Sequence, residues 1–316
     1  MQYTTKVEEP VRAGYRNYTV YKCGPWTQGP VFLQQLKLLE GFGLSQMKHN
    51  SAEYIHLLIE CTKLAFADRN RYYGDPLFCE PPLPMLLSRE YNDERRKLID
   101  LAKANLNALD EPEEDAATHT HVGDTTHLDV IDDEGYMISA TPSGGWIPAS
   151  PLIPSLGFPL GTRAQCLTLN ENHPNGLLPG KRPRITLTPS LVFKDDAPWI
   201  VFGTPGGDCQ DQWTLQFFLN LVDFNMDIQE AIDMPAFHTM HFRNSFYPKN
   251  IDLGTVFLER GVDIDEMLKL QDMGHKINIL RCNDSAVNSV RINREAGTIE
   301  GAASHKYDGQ SYAFGW

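Results

Sequence analysis

Residues Gly123-Asp124-Thr125-Thr126-His127 join two stretches of different texture. Upstream, Asp110-Glu-Pro-Glu-Glu-Asp-Ala-Ala-Thr-His-Thr-His121 is polar and aperiodic, the pattern of a flexible loop. Downstream, residues 126–132 alternate, turn at Asp133-Glu134-Gly135 and resume over 136–141, which predicts a β-hairpin. A loop therefore delivers a Thr onto the first strand of a hairpin. A mid-chain Thr hydroxyl is a weak nucleophile with no base of its own. If the peptide bond before it is cut, the freed α-amine can serve as that base. Taken alone, the same residues read more simply as a β-branched pair that starts a strand.

Outward from this junction the two sides differ. The first hundred residues read as mostly helical. Phe32-Leu33, Leu36 and Leu38-Leu39 recur at helical spacing after the Gly24-Pro25 and Gly29-Pro30 turns. A second helix runs through Tyr54, Leu57-Leu58, Cys61 and Leu64-Ala65 and stops at Tyr73-Gly74-Asp75-Pro76. A third, heavily charged, is expected over 88–106. Beyond the hairpin the spacing predicts strands over 187–194, 199–203, 276–280 and 289–293, and helices over 211–224, 228–234 and 265–274. No internal repeat interrupts this order.

Composition narrows the partners. The 316 residues are 41% hydrophobic, with 28 Lys and Arg against 41 Asp and Glu, a net charge of −13. A nucleic-acid binder is expected to carry a basic stripe, and the nearest approach is Lys181-Arg182-Pro183-Arg184. Between Ala104 and Thr162 there is no Lys or Arg, and most of the net charge lies there. This reads as a solvated acidic linker. No apolar run approaches the roughly 18 residues of a membrane span, and Met1-Gln-Tyr-Thr-Thr-Lys-Val-Glu-Glu9 has no apolar signal segment. Cysteines at 23, 61, 79, 166, 209 and 282 include no CxxC pair and read as free thiols, so a reducing, cytoplasmic setting is expected. No nucleic-acid or membrane partner is expected.

Two further stretches can carry chemistry. Gly203-Thr-Pro-Gly-Gly-Asp208 lies between a predicted strand and a predicted helix. Its adjacent glycines, Gly206 and Gly207, free the backbone to present consecutive N–H groups, as an oxyanion hole requires. A tight strand-to-helix turn explains them as well, and the spacing is not that of a nucleotide-binding loop. Pro179-Gly-Lys-Arg-Pro-Arg-Ile-Thr-Leu-Thr-Pro189 is a rigid basic loop whose Arg forks suit either a carboxylate or a structural ion pair. His119, His121 and His127 with Asp124 imitate a metal cluster, but they sit on an aperiodic loop. Neither a metal nor a cofactor is expected.

Together these blocks resemble the γ-glutamyltranspeptidase family of N-terminal nucleophile hydrolases. Gly24-Pro-Trp-Thr-Gln-Gly29 followed by Leu33-Gln34 is similar to the family's Pro-rich segment. Ala65-Phe-Ala-Asp-Arg-Asn-Arg-Tyr-Tyr-Gly-Asp-Pro76 is similar to its Ala-Asp-Arg…Gly-Asp-Pro signature. Thr125-Thr-His resembles the start of its small subunit, and Lys181-Arg-Pro183…Thr188-Pro189 and Gly203-Thr-Pro-Gly-Gly207 resemble later blocks, all in the family's order. The resemblance implies an α+β fold, a four-layer αββα sandwich, incomplete here because the family's N-terminal portion is missing. It implies a large-subunit part over 1–124, a small catalytic subunit over 125–316, self-cleavage before Thr125, and continued association of the two pieces. It also implies acyl transfer from a γ-glutamyl or related acyl amide, a small molecule, to water or an amine. By position Thr125 is the nucleophile, Thr141 and Ser143 are the hydroxyls near it, and Gly206 and Gly207 supply the oxyanion hole.

Beside that missing length, the departures from the family pattern fall on substrate reading. Where glutathione-cleaving members have Thr-Leu-Asn, this chain has Ser143-Gly-Gly145. Leu160-Gly-Thr-Arg-Ala-Gln165 replaces a segment whose Gln and Asp bind the glutamate amino group, and Ile185-Thr186 replaces a Ser-Ser pair. The substrate-binding positions are therefore Gly145, Arg163, Arg184 and Thr186, with Arg163 and Arg184 suited to an anionic group on the donor. This resembles the divergent transpeptidase-like branch. Two alternatives stand beside the γ-glutamyl reading: an acylase for non-glutamyl amides, and an inactive truncated paralogue serving as a folding or interaction module.

Overall fold

In a computed structural model, which describes residues 6–109, 125–145, 150–306 and 311–315, strands from both sides of the acidic segment share one sheet. In chain order the elements are β1 (Val11–Tyr15), β2 (Tyr18–Lys22), α1 (Gly29–Leu39), α2 (Ala52–Tyr72), α3 (Leu83–Leu86), α4 (Arg89–Arg96), β3 (Leu128–Ile131), β4 (Met137–Ala140), β5 (Leu152–Ile153) and β6 (Phe158–Pro159). They continue with β7 (Ser190–Lys194), β8 (Ala197–Gly203), α5 (Gln210–Val222), α6 (Ile228–Asp233), β9 (Phe237–Thr239), β10 (Thr255–Leu258), α7 (Ile264–Asp272), β11 (Lys276–Ile279), β12 (Asn288–Asn293) and β13 (Thr298–Ala303). The six-stranded sheet has the order β1-β2-β7-β8-β12-β13 and is antiparallel throughout. Helices α1 and α5 pack on one face, and the β3–β4 hairpin packs on the other, over β8 and β12. A separate three-stranded sheet, β11-β10-β9, lies beside α2 and α7.

Local chemistry explains the elements that frame the site. Helix α1 has Pro30 in its first turn, where a missing N–H costs nothing, and ten of its eleven residues are buried. It is buried nearly all round, Gln34 and Gln35 included, because the sheet lies on one side and α2 on the other. Helix α2 starts at Ser51, whose hydroxyl accepts from Tyr54 N at 3.3 Å, and carries Glu53 in its first turn and Arg69 and Arg71 in its last. Phe32, Phe202 and Phe218 are fully buried and meet between α1, β8 and α5, with ring centroids 5.9 Å apart for Phe32 and Phe218. On the hairpin, Leu128, Val130 and Ile138 face outward and stay about half exposed.

Several expectations need adjusting. The N-terminal part is not all helix, because β1 and β2 form a hairpin whose turn holds Arg16 at φ 55°. The expected third helix ends at Arg96. After it Leu98 N bonds Arg95 O at 3.1 Å, a tight turn, and Ala104 N leaves for Met273 O at 2.8 Å. The acidic loop and its His119, His121 and Asp124 lie outside the described residues. No helix among the described residues is long and apolar enough to cross a membrane.

One buried ion pair ties β2 to the start of α5. Lys22 Nζ lies 3.0 Å from Asp211 Oδ1 with both side chains fully buried, and it also donates to Thr188 O at 2.9 Å and Ser190 Oγ at 2.8 Å. Burial pushes the Lys22 pKa down and the Asp211 pKa up to about 6, against the opposing pull of each partner. Removing one member leaves an uncompensated buried charge, which costs about 3–5 kcal/mol. Lys22→Met and Asp211→Leu should each lose stability on that scale in urea titration, and the double variant should lose much less than their sum. Additive losses would show that the pair is not coupled.

Candidate active site

Thr125 and Ser143 face each other where the hairpin opens. Thr125 Oγ1 is 2.8 Å from Ser143 Oγ, and Thr126 N donates to Pro142 O at 3.1 Å, so strand pairing continues past β3 and β4 and fixes the two hydroxyls in register. Thr141, expected beside the nucleophile, instead serves His127. Its Oγ1 lies 2.8 Å from His127 Nδ1, and His127 Nε2 lies 2.9 Å from Asp129 Oδ2. A carboxylate accepts, so Nε2 donates to Asp129, and Nδ1 is left facing the Thr141 hydroxyl. The imidazole occupies the space above Gly203 that a Cβ would need. His127 thus clamps the hairpin onto β8 immediately before the glycine loop.

That loop has two left-handed residues, Gly206 at φ 125° and Gly207 at φ 56°. A Cβ on Gly206 would overlap the Trp213 ring, and one on Gly207 would come within 3.0 Å of Phe246 Cε2. The loop is held from α2. Arg69 is fully buried, with Nη1 donating to Asp208 Oδ1 and, at 3.0 Å, to Gln28 Oε1, while Gln28 Nε2 donates to Gly207 O at 3.3 Å. Asp208 also accepts from Ser245 N at 2.7 Å and Ser245 Oγ at 2.6 Å. Burial pushes the Asp208 carboxyl up, but Arg69, Arg184 and the Ser245 bonds outweigh it and hold the group below the usual carboxylate range.

The four positions expected to bind substrate separate. Arg163 reaches Ser143, with Nη2 donating to Ser143 Oγ and its guanidinium carbon 5.2 Å from the Phe246 ring centroid. Gly145, at φ 133°, is pressed against Leu160 O, where a Cβ would overlap. Arg184 is buried and donates to Ser245 Oγ at 3.1 Å, so its fork belongs to the Asp208 network. Thr186 is fully buried. Sequence reasoning missed Asp129, Ser245 and Phe246. Asp129 alone left a signal, two residues beyond His127 on the same strand face.

A second polar cluster lies away from this site. His56, Glu60 and His275 bring ligand-type atoms within 4.8 Å of one another, all buried. Their contacts are those of an internal network: His56 Nε2 lies 2.8 Å from Asp100 O, His56 Nδ1 lies 2.8 Å from His275 Nε2, and Lys63 Nζ lies 2.6 Å from Glu60 Oε1. The Lys63 ammonium already balances the carboxylate.

The γ-glutamyltranspeptidase family model matches residues 1–314. The chain belongs to that family. It is 32% identical over 321 residues to a glutathione hydrolase proenzyme of Bacillus subtilis (strain 168), covering 97% of this chain and 53% of that protein. It is 29% identical over 313 residues to the Acylase ACY 1 proenzyme of Pseudomonas sp. (strain SE83), covering 98% of this chain and 53% of that protein. The chain thus spans about half the length of these curated relatives. Among solved structures, cephalosporin acylase from Bacillus halodurans superposes with a TM-score of 0.81 at 28% identity over 98% of this chain and 53% of that one. The structure of LmbA2991T421A superposes with a TM-score of 0.86 at 42% identity over 98% and 56%. The fold is that of the family's N-terminal nucleophile hydrolases.

The two glycines should tolerate Ala unequally. Left-handed φ costs a residue with a Cβ roughly 1–2 kcal/mol, and Gly206 meets the Trp213 ring in addition. Gly207→Ala should therefore melt somewhat below the parent chain, and Gly206→Ala well below Gly207→Ala. Equal melting temperatures would mean that the Trp213 ring yields freely.

Proposed function

We propose that the chain is an amide hydrolase or acyltransferase that works through Thr125, acting on γ-glutamyl or related acyl amides. The observation that carries this reading is the Thr125–Ser143 hydroxyl pair at 2.8 Å, held by the hairpin next to the Gly206–Gly207 loop of a family member. In self-processing, Thr125 Oγ attacks the Asp124 carbonyl carbon. The Asp124–Thr125 amide C–N bond breaks, the Thr125 nitrogen takes the proton as a free α-amine, and water opens the ester that remains.

The freed amine then takes the Oγ proton as Thr125 attacks a donor amide. An Oγ–acyl bond forms, the amide C–N bond breaks, and the departing amine leaves with the proton. Water or a second amine then takes the acyl group. The Gly206 and Gly207 N–H groups stabilise the tetrahedral oxyanion, and one such donor is worth about 100- to 1,000-fold in rate. The relatives' names as proenzymes agree with a processed form. Pieces 1–124 and 125–316 would stay together, since β2 pairs with β7 across five positions and Arg69 pairs with Asp208.

Mass spectrometry of the purified chain should give the two pieces, and Thr125→Ala should remain one 316-residue species. The same two fragments from Thr125→Ala would place the cut with an outside protease. A single intact parent species would favour the inactive folding or interaction module.

Glutathione should be a poor donor. At the glutamate-reading positions stand Gly145, which has no side chain, the Arg163 cation, and Ile185 beside a buried Thr186. A hydrogen-bonding site that lacks its donors typically loses several orders of magnitude in discrimination. Measured kcat/KM should be lower for glutathione than for non-glutamyl acyl amides, and efficient glutathione turnover would refute this.

A further inference from the structure

Residues 100–107, beyond α4, form neither helix nor strand. They run as a strap that ionisable side chains fasten to α2 and to the β9–β10–β11 sheet. His56 Nε2 donates to Asp100 O, Lys63 Nζ to Asn105 O and His241 Nε2 to Asn107 O, each at 2.8 Å. Glu60 Oε1 accepts from Asn105 N at 3.3 Å, and Ala104 N reaches Met273 O at 2.8 Å. Leu109, just past the strap, is the last described residue before the acidic segment that ends at Thr125.

His241 is the fastening whose charge state the geometry fixes. It lies just beyond β9 and is 1% exposed. Gly254 N, a donor only, gives its proton to Nδ1 at 2.8 Å, while Asn107 O, an acceptor only, takes one from Nε2. The ring is therefore neutral, with its proton on Nε2. A second proton, on Nδ1, would point at the Gly254 N–H. The sheet side cannot retreat, because Gly254 O accepts from Lys276 N at 2.8 Å and His241 N is itself bonded to Thr239 Oγ1 at 3.2 Å. The strap can. Leu106, which lies over Gly254, is exposed on its outer side, as are Leu101, Ala102 and Lys103.

The geometry points to a strap that acid releases: a proton taken up by His241 breaks the bond to Gly254 N, turns the ring out of its slot and lifts residues 100–107 while the sheets stay folded. Burial holds the His241 pKa down, at about 4. Lys63 on α2 and Lys276 on β11 also oppose a second positive charge, as does His275 ahead of β11, whereas the Asn107 carbonyl and Asp252 ahead of β10 favour it. In the released strap the ring meets water and titrates near the ordinary value of about 6.5. The closed form is therefore fully favoured above that value and loses ground as pH falls toward 4, by about tenfold per pH unit for one proton. This holds whatever the role of Thr125.

Hydrogen exchange of the 316-residue chain, followed by mass spectrometry and corrected for the intrinsic pH dependence of exchange, tests the release. Protection of the Ala104 and Asn105 amides should fall about tenfold per pH unit between about pH 6 and 4.5, while that of β8 and β12 holds. H241Q keeps an N–H for Asn107 O and has no ring to titrate, so its strap protection should stay nearly flat over the same window. If H241Q is unstable, H241N, which keeps an acceptor for Gly254 N, carries the same expectation. Flat strap protection in the parent would overturn the inference, and so would a loss shared equally by β8 and β12. An unchanged slope in either variant would overturn it as well.

Discussion

The buried Arg69–Asp208 pair is the joint on which the site depends. Arg69 lies against the stacked Phe66–Phe242 pair, with its guanidinium carbon 4.4 and 5.2 Å from their ring centroids. Placing an ion pair among aromatic rings is costly unless every lone pair and proton finds a partner. Here Gln28, Arg243 O and Ser245 complete the set. Because those partners come from the start of α1, the end of α2, the glycine loop and the segment after β9, satisfying one charge aligns four parts of the chain. The glycine loop gains a fixed shape from the contacts made to Gly207 O and to Asp208.

The hairpin solves the complementary problem of aiming a hydroxyl. A strand places alternate residues on opposite faces, so Thr125, His127 and Asp129 share a side. His127 and Asp129 turn inward and lock to the sheet, and Thr125 inherits that direction at the free end of the row. Asp208, His127 and Arg163 thus act on geometry through hydrogen bonds, and the site is fixed wherever it meets the core. Only its outer side, along Leu128, Val130 and Ile138, is left uncovered among the described residues.

Much of this was legible in the residue order, and the failures have physical causes. The Thr125 junction and Gly206–Gly207 were readable because both are local devices: a loop feeding an alternating strand, and glycines where φ turns positive. The β1–β2 hairpin was missed although 11–22 alternates, because its turn is Arg16-Asn17, without glycine, and Asn17 Nδ2 reaches Asp195 at 3.1 Å instead. The helix expected over 88–106 was overextended because the chain tightens into a turn after Arg96, with Leu98 N on Arg95 O, and Ala104 N then pairs with Met273 O of a distant element. Thr141 and Arg184 show a further limit. Residue type gives the bonds a side chain can make, but only the fold decides whether His127 or Thr125, Ser245 or a ligand, stands in reach.

The strand order β1-β2-β7-β8 has a consequence for the history of the molecule. Any break between Leu109 and Thr125 puts β1 and β2 on one polypeptide and their sheet neighbour β7 on the other. In an unbroken chain β2 finds β7 at an effective concentration that a tether sets, on the order of millimolar for a short flexible one. Once cut, the two pieces must meet by diffusion, and the native state becomes dependent on protein concentration. Assembly would then run in one direction only, folding first and scission second. A dilute, denatured two-piece sample would lack the route by which the intact chain reached the same sheet.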